Sequence, residues 1–445
     1  MNKVRQRWDN LRSSFWFMPS LIVLDSIVVA LALIEADFVW GDHFRAQWPR
    51  LFGVGAEGAR QILSTLAGSM MTVLGITFSM TLLALTLASS QYTSRILRNF
   101  MRSRVTQVTL GIFAGIFVYC LIVLRTIRGG EAEFVPSLAV FFAFVMAIVG
   151  VGVLIFFIHH IASSIQASSI IASITQETIA AIERLFPEKS AYGSEEDEGH
   201  DQALRSLDQR TWYAVPAAVS GYIQSVDYDA LLGLARDSKT IVRMEHGNGA
   251  FVVQNTALAS LALTYAPDRA MIAALNGAYG IDRHRTVEQD PAFGIRQIVD
   301  MALKALSPGV NDTSTAVICV DYLTAILAQL AVRQFPPAQR YDGEALRVIT
   351  LAVTFEGLLA EAFDQIRSSA EGNVAIMARM LGAIETIASL TVSPSRRRAL
   401  DEQVQWIAEL AERTIEATHD RARIERRLMH VREALESAPA LCPGQ

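Results

Sequence analysis

Residues 61–94 read QILSTLAGSMMTVLGITFSMTLLALTLASSQYTS, without one charged side chain between Arg60 and Arg95. These 34 residues exceed the roughly 20 apolar residues that carry a helix across the hydrocarbon layer of a bilayer. The run therefore predicts a transmembrane helix that is strongly tilted or that continues into the cytoplasm.

Three further stretches predict transmembrane helices. Residues 105–124 and 134–176 carry no Asp, Glu, Lys or Arg, and Met18–Ala36 is long enough to span but holds Asp25 inside it. The basic start of this stretch and its Ala30-Leu31-Ala32 segment also fit a cleavable signal peptide, but an acid inside the apolar region favours an uncleaved helix. The sequence predicts a membrane α-helical protein with four transmembrane helices.

The composition agrees with this class. Of the 445 residues 51% are hydrophobic and only 19% are charged, against roughly a quarter in soluble domains. The net charge of −5 offers no basic excess for nucleic acid, and three scattered cysteines make neither a disulfide framework nor a zinc site. We expect the lipid bilayer as a partner, no nucleic acid, no cofactor and no metal.

Basic residues in short loops predict the orientation. Four lie in the N-terminal tail and four in the second loop: Lys3, Arg5, Arg7, Arg12, Arg95, Arg98, Arg102 and Arg104. The first and third loops carry fewer, and acids accompany those of the third. We therefore expect a multi-pass protein of the bacterial inner (plasma) membrane with both termini in the cytoplasm.

The pattern after the fourth span predicts four domains: a transmembrane domain over 1–160, a helical extension and acidic linker over 161–210, a β-rich module over 211–265 and a helical domain over 266–445. No Pro or Gly interrupts residues 159–186, which predicts one continuous rod leaving the membrane. Short β-rich runs follow, and then helical sequence that includes one long helix over Arg396–Leu435. The cytoplasmic part is expected to be an α+β domain, a small β-rich module plus a helical bundle.

Several blocks carry a resemblance to a known family. They are RTVEQDPAFG at 285–294, ALSPGVNDTSTA at 305–316, AFDQIR at 362–367, Phe78-Ser79 and ASSQY at 88–92. Together they resemble the predicted bacterial membrane proteins of unknown function numbered 2254. Thr313 stands where the family pattern has proline, and Gly249-Ala250-Phe251-Val252 replaces its Pro-Gly-Asp-Phe-Val. The resemblance implies the topology and no established activity.

The second span has a polar face that could carry function. At 100° per residue an arc of about 80° holds seven small or hydroxyl-bearing residues: Ser64, Gly68, Thr72, Gly75, Ser79, Thr86 and Ser90. Leu82 interrupts the same face. Such a face either packs closely against another helix or, repeated around an axis in a homo-oligomer, lines a pore that Leu82 closes by dewetting.

Two other groups of residues are candidate sites. Asp25, an acid within a span, serves a proton or cation, makes a structural hydrogen bond, or reaches water from a shallow helix. In the cytoplasmic part, Asp290-Pro291 and Asn311-Asp312 predict helix caps. The functional alternative is a pocket for a small polar or anionic effector. Its candidate residues are Arg296, Asn311, Asp312 and Asp321.

No catalytic motif with a recognised mechanism accompanies these residues. The chain has no Gly-x-Ser-x-Gly elbow, no His-Glu-x-x-His pair and no phosphate-binding Walker loop. We expect no enzyme, although an unmarked hydrolase or transferase stays open. The sequence favours an oligomeric gated ion channel or related transport protein with a cytoplasmic regulatory domain. The alternative is a membrane-anchored ligand sensor or scaffold without a pore.

Overall fold

The structure is a computed structural model that divides into two compact units, residues 1–169 and 170–445. Each unit is described by itself. The described residues are 16–47, 54–91, 104–128, 134–164, 166–187, 207 and 210–437. Most of the predicted acidic linker lies outside these ranges.

The first unit is built from four long helices. They are α1 (Phe17–Gln47), α2 (Ala56–Gln91), α3 (Arg104–Thr126) and α4 (Ser137–Ser164). Long apolar sequence with no proline beyond the first turn explains each of them, because a buried or lipid-facing backbone must satisfy its hydrogen bonds internally. Each observed helix coincides with one of the four predicted spans.

Helix α3 is the centre of this unit. It packs against α1, α2 and α4. Of its most apolar 18-residue stretch, 56% is buried, against 17% of the corresponding stretch of α2. Gly111 and Gly115, four residues apart on α3, allow the close approach of α1. A Cβ added at Gly111 would lie 2.7 Å from Ile22 Cδ1, and one at Gly115 would collide with Ser26 Oγ.

Contacts at the helix ends show that neighbouring helices run in opposite directions. Arg60, near the start of α2, donates to the carbonyl of Ile127, just after the end of α3, at 3.3 Å. Tyr119 in the last third of α3 donates to the carbonyl of Ala139, in the first turn of α4, at 2.9 Å. The four helices therefore alternate in direction within the unit.

Five described helices are long and apolar enough to cross a membrane. Four are α1 to α4, and the fifth, α9 (Thr313–Ala331), belongs to the second unit. Helix α9 packs against three helices of that unit: α8 (Pro291–Leu306), α10 (Phe355–Ser368) and α11 (Val374–Ala388). A helix buried in a bundle can be as apolar as a transmembrane helix, so the composition of α9 fits both.

The second unit begins with α5 (Ala167–Leu185), which is separate from α4. The prediction of one continuous rod is wrong, because α4 ends at Ser164 and Gln166 forms a bend. Serine hydroxyls in this stretch compete for backbone groups, and Ser163 donates to the carbonyl of His159. Thr178 of α5 packs against Gly294 of α8 so closely that a Cβ at Gly294 would collide with the threonine hydroxyl.

Two sheets form the β-rich part of this unit. The strands are β1 (Trp212–Pro216), β2 (Gly221–Val226), β3 (Val242–Met244), β4 (Phe251–Val252), β5 (Ala257–Ala262), β6 (Tyr279–Asp282), β7 (Gln339–Asp342) and β8 (Ala345–Ile349). One sheet has the order β1-β5-β3-β8-β7 and the other β4-β2-β6. Two short helices, α6 (Tyr228–Asp237) and α7 (Arg269–Gly277), pack with them around a common core.

The predicted boundary of the β-rich module at residue 265 is wrong. Three strands, β6, β7 and β8, come from the region predicted to be purely helical. Strand β8 lies parallel to β3, with Val348 opposite Val242, so about a hundred residues separate two paired strands. Its short, arginine-containing sequence has no alternation strong enough to identify it before its partner is known.

The rest of the unit is helical. Helices α8 to α11 are followed by α12 (Pro394–Thr414) and α13 (Thr418–Glu436). The single helix predicted over Arg396–Leu435 is therefore two helices. Ile415 adopts an extended conformation between them and buries its side chain, and Arg421 donates to its carbonyl at 2.9 Å.

Candidate functional site

The predicted polar face of α2 is exposed along the described part of the helix. Seven of its eight residues are exposed: Ser64, Gly68, Thr72, Gly75, Ser79, Leu82 and Thr86. Ser90 lies in the last turn of α2, but its side chain is outside the described part of the chain. The seven residues therefore contact little of their own chain.

This face points away from the rest of the unit. Helix α2 packs through a different set of residues, Ala59, Leu63, Ala67 and Met70, which are all buried. At 100° per residue, the centre of the polar face lies about 145° from the centre of this packed face. Exposed apolar side chains flank the polar face, Met71 and Phe78 on one side and Ile76 and Leu83 on the other.

The glycines of the face are not explained by packing within one chain. A Cβ added at Gly68 or Gly75 would meet no atom within 4 Å. Small residues in a membrane helix generally let another helix approach or leave room beside the helix. Within one copy of this chain, the described residues make no such use of either glycine.

Most hydroxyl groups on α2 bond to the helix itself. Thr72 donates to the carbonyl of Gly68 at 3.0 Å, and Thr86 to that of Leu82 at 2.8 Å. Thr65 and Ser69, exposed neighbours of the predicted face, do the same. Thr65 and Ser69 lie outside the 80° arc, on the side flanked by Ile76 and Leu83, whereas exposed Gln61 lies within the arc.

Leu82 is the one large apolar residue within the polar face. Its side chain is 48% exposed, and Leu83, the next residue, is 60% exposed. The two leucines point about 100° apart on the helix, so only Leu82 lies on the polar face. The pair offers a matched comparison of the same side chain on and off that face.

Asp25 is exposed on α1 and faces away from α3. Ser26, the next residue, is buried against Gly115. Among the described residues Asp25 has no hydrogen-bond or ion-pair partner. The structure therefore does not supply the hydroxyl partner within the chain that one of the interpretations of Asp25 requires.

The acid that holds the bundle together is Asp37, which sequence reasoning missed. Its side chain is 6% exposed, and its carboxylate accepts from the backbone N–H groups of Leu138 at 3.0 Å and Ala139 at 2.9 Å. These amides belong to the first turn of α4, so Asp37 caps one helix from another. The sequence signal was an acid directly after a predicted span, together with the Pro136-Ser137 helix start.

The four predicted ligand residues do not join one another. Arg296 pairs with Asp300 at 3.1 Å and with Glu361 of α10 at 3.3 Å. Asp321 pairs with Arg379 of α11. In the described part of the chain no hydrogen bond or ion pair connects any two of Arg296, Asn311, Asp312 and Asp321. Arg296 pairs between α8 and α10 and Asp321 between α9 and α11, whereas Asp312 bonds within α9.

Asn311 and Asp312 shape the start of α9. Asn311 adopts a left-handed conformation with φ of 49°, and Asp312 accepts from both the N–H and the hydroxyl of Thr315. The hydroxyl and backbone hydrogen bonds of Thr315 hold the pKa of Asp312 below its ordinary value. The predicted cap is confirmed, as is the cap that Asp290 supplies to α8.

Asp290 carries a second contact in addition to its cap. Arg285 donates to its Oδ2 from Nε at 2.9 Å and from Nη2 at 2.7 Å. Burial raises the pKa of Asp290, although the Arg285 guanidinium opposes that shift. Gly249 packs directly against this carboxylate with φ of 80°, so a side chain there would be strained and would collide with it. In the described residues no group of three or more His, Cys, Asp or Glu side chains could hold a metal ion.

Comparisons with known proteins identify the family. The family model described as a predicted membrane protein (DUF2254) matches residues 12–386. The chain belongs to this family. Two members, uncharacterized proteins of Mycobacterium bovis and Mycobacterium tuberculosis, are each 32% identical to it over 463 residues, covering 100% of this chain and 85% of the relative. No solved structure matches the chain.

Proposed function

We propose that this membrane protein assembles as a homo-oligomer in which the polar face of α2 lines a gated path for ions or small solutes. The observation that carries the proposal is the exposure of that face on the side of α2 opposite its own bundle. A single chain in a bilayer would turn glycines and hydroxyls toward lipid there. Several copies around an axis would instead enclose them.

The residues beside the polar face support the same arrangement. Met71, Phe78, Ile76 and Leu83 are large, apolar and between 43% and 60% exposed. In a ring of copies these flanks would contact neighbouring subunits, while the polar strip between them faces the axis. Leu82 would then form an apolar ring that closes the path by excluding water.

The topology that we propose has four spans, α1 to α4, in the bacterial inner membrane, with both termini in the cytoplasm. The alternating directions of the four helices support it, since such helices place successive loops on opposite sides. The packing of α9 against α8, α10 and α11 supports its assignment to the soluble part. That part would serve as the regulatory domain.

Conductance in planar bilayers tests the pore. Leu82→Ser should produce a leak current, because a polar ring at the constriction stays hydrated. Thr72→Leu should reduce flux, because it places a bulky apolar group on the path. Leu83→Ser is the matched control, since it changes the same residue type one position away and off the polar face.

Assembly on native gels separates the pore from its alternative, a sensor or scaffold whose α2 face only packs between copies. Packing predicts that Leu82→Ser and Thr72→Leu both reduce the oligomer and that neither raises conductance. The pore proposal fails if Leu82→Ser assembles normally and stays electrically silent under tension and voltage. It also fails if Leu83→Ser leaks equally.

Cysteine labelling tests the orientation separately. Val54→Cys and Arg128→Cys should react with a membrane-impermeant maleimide from the periplasmic side of intact cells, and Ser194→Cys should react only after lysis. The positive residues in the N-terminal tail and second loop motivate this expectation. Labelling of Ser194→Cys in intact cells would reverse the orientation.

A further inference from the structure

A group of polar side chains is buried among the strands and short helices of the second unit. Tyr279, on β6, is 6% exposed, and its hydroxyl has no hydrogen-bond partner among the described residues. Burial raises the pKa of Tyr279, and Tyr228 and Glu245 raise it further. Tyr228 packs against the same hydrophobic core to which Tyr279 belongs. A buried hydroxyl without a partner is costly, so it marks a position where a polar group fits.

Arg340, on β7, stacks on Tyr228, which packs against the same core as Tyr279. Its guanidinium carbon lies 4.0 Å from the centre of the Tyr228 ring. Its Nε is buried and has no hydrogen-bond partner, and no described carboxylate pairs with this arginine. A guanidinium prefers a planar anion that accepts two hydrogen bonds.

Asn248 adds an acceptor to the group. Its amide nitrogen donates to the carbonyl of Gln289 at 3.1 Å, while its buried Oδ1 has no partner among the described residues. Gln289 Oε1 accepts from Asn248 Nδ2 at 3.4 Å and from the backbone N–H of Val226 at 3.0 Å, and Val226 pairs with Tyr279 across β2 and β6. Three buried polar atoms of this region therefore have no partner among the described residues: Tyr279 Oη, Arg340 Nε and Asn248 Oδ1.

The acid near this group is already neutralised. Glu245 accepts from Arg243 Nε at 3.0 Å and from the Ser260 hydroxyl at 2.5 Å. Arg243 therefore neutralises the charge of Glu245, and Arg340 has no carboxylate partner among the described residues. The local excess of one positive charge favours an anionic ligand over a cation.

We infer that Tyr228, Tyr279, Asn248 and Arg340 form a binding site for a small soluble oxyanion, a phosphate or carboxylate group, in the β-rich part of the second unit. The guanidinium of Arg340 binds the anion, and the Tyr279 hydroxyl donates to it. Asn248 Oδ1 accepts from a protonated oxygen or another donor of the same ligand. The burial of Tyr279 admits a small molecule rather than an extended surface.

Arg347 provides a matched control for Arg340. It lies on the neighbouring strand β8, is also half-buried, and also has a buried Nε without a partner. The register of β7 and β8 shifts beside Arg340, which pairs with Val348, and Arg347 has no register partner on β7. Only Arg340 lies over the Tyr228 ring.

Isothermal titration calorimetry on the full chain in detergent tests the site, with inorganic phosphate and acetate as probes at constant ionic strength in chloride. We expect saturable binding of at least one probe at one site per chain. Arg340→Gln should raise its dissociation constant by about tenfold or more, and Tyr279→Phe by a smaller factor. Arg347→Gln should leave the dissociation constant unchanged, and circular dichroism checks that each variant is folded.

Two results would overturn the inference. One is the absence of saturable binding of either probe to the unaltered chain. The other is an equal loss of binding in Arg340→Gln and Arg347→Gln, which would place any anion elsewhere. A gain in thermal stability of Tyr279→Phe without any anion response would mean that the hydroxyl meets ordered water only.

Discussion

Helices α2 and α3 both carry small residues at helical spacing, and they use them in opposite ways. On α3, Gly111 and Gly115 are pressed against Pro19, Ile22 and Ser26 of α1, and neither has room for a Cβ. On α2, Gly68 and Gly75 face open space. Sequence alone does not distinguish the two pairs, since both place glycine among apolar residues in a membrane helix.

The difference shows what each glycine pair does. On α3 the small residues form a contact within the single chain, because α1 fills the groove that they leave. On α2 they remain available after the chain has folded. We therefore connect Gly68 and Gly75, the outward pair, with the proposed assembly and function. Substitutions on α3 should affect the stability of the chain, and substitutions on α2 should affect assembly or flux.

The largest expected effect belongs to the inward glycine. Gly115→Leu should destabilise the unit by about 3 kcal/mol, since a large side chain cannot enter the α1–α3 contact without displacing backbone. Gly68→Leu should change the stability of the unassembled chain by less than about 0.5 kcal/mol, because nothing lies beside it. Chemical unfolding in detergent, followed by circular dichroism, measures both.

The same two variants should behave differently in assembly. Gly68→Leu is expected to keep its fold yet lose flux or oligomer, whereas Gly115→Leu loses folded protein first. Equal destabilisation of the two variants would mean that the outward face of α2 is packed within the chain. That result would remove the basis for a pore.

Two aspartates extend the contrast from glycines to acids. Asp37→Ala should destabilise the first unit by about 2 kcal/mol, because it leaves two buried amides of α4 without their acceptor. Asp25→Ala should cost less than about 0.5 kcal/mol in the unassembled chain, where its carboxylate is exposed. A larger cost for Asp25→Ala in unfolding experiments would show that its carboxylate has a partner within the chain.

The exposed cap of α9 should give a smaller effect that depends on pH. Asp312→Ala is expected to cost about 1 kcal/mol at neutral pH. Because the folded-state pKa of Asp312 is lowered, its contribution is present above the ordinary aspartate pKa of about 3.9 and is lost as pH falls through the folded-state value. Thermal melts of both proteins from pH 7 to pH 3 should therefore converge, and a difference that stays constant with pH would contradict this.

The smallest expected effect separates two threonines of α2. Thr77 is fully buried and Thr72 is exposed, and both donate to the carbonyl four residues earlier. Thr77→Val should change stability by about 0.6 kcal/mol or less and leave conductance unchanged. Thr72→Val should leave stability unchanged and lower conductance by removing a hydroxyl from the path. Conductance that responds to Thr77→Val and not to Thr72→Val would reverse the assignment of the two faces.

The membrane helices were predictable because their signal is local. Long runs without charge identify spans whatever their neighbours are, and the caps at Asp290 and Asp312 depend only on the next three residues. The direction of the polar face on α2 was not predictable. It depends on which side of α2 meets α3, and both sides of α2 are rich in small and hydroxyl-bearing residues.

Long-range pairing explains the remaining differences. Strand β8 pairs with β3, and Asp37 bonds to amides about a hundred residues away, so the sequence around each of them does not reveal its partner. The proposed effector residues were grouped by sequence proximity and charge. Arg296 and Asp321 instead found partners on other helices, because the bundle brings Glu361 and Arg379 to them.

The internal hydrogen bonds of α2 have a consequence for how the protein is made. Four hydroxyl groups donate hydrogen bonds to carbonyls of the same helix, those of Thr65, Ser69, Thr72 and Thr86. A newly synthesised copy therefore presents no unsatisfied donor to lipid at these positions. A helix of this kind can move from the insertion machinery into the bilayer without a partner helix and remain stable there. In the proposed oligomer, insertion and subunit assembly would therefore be separate stages, and subunits would meet only after each has folded.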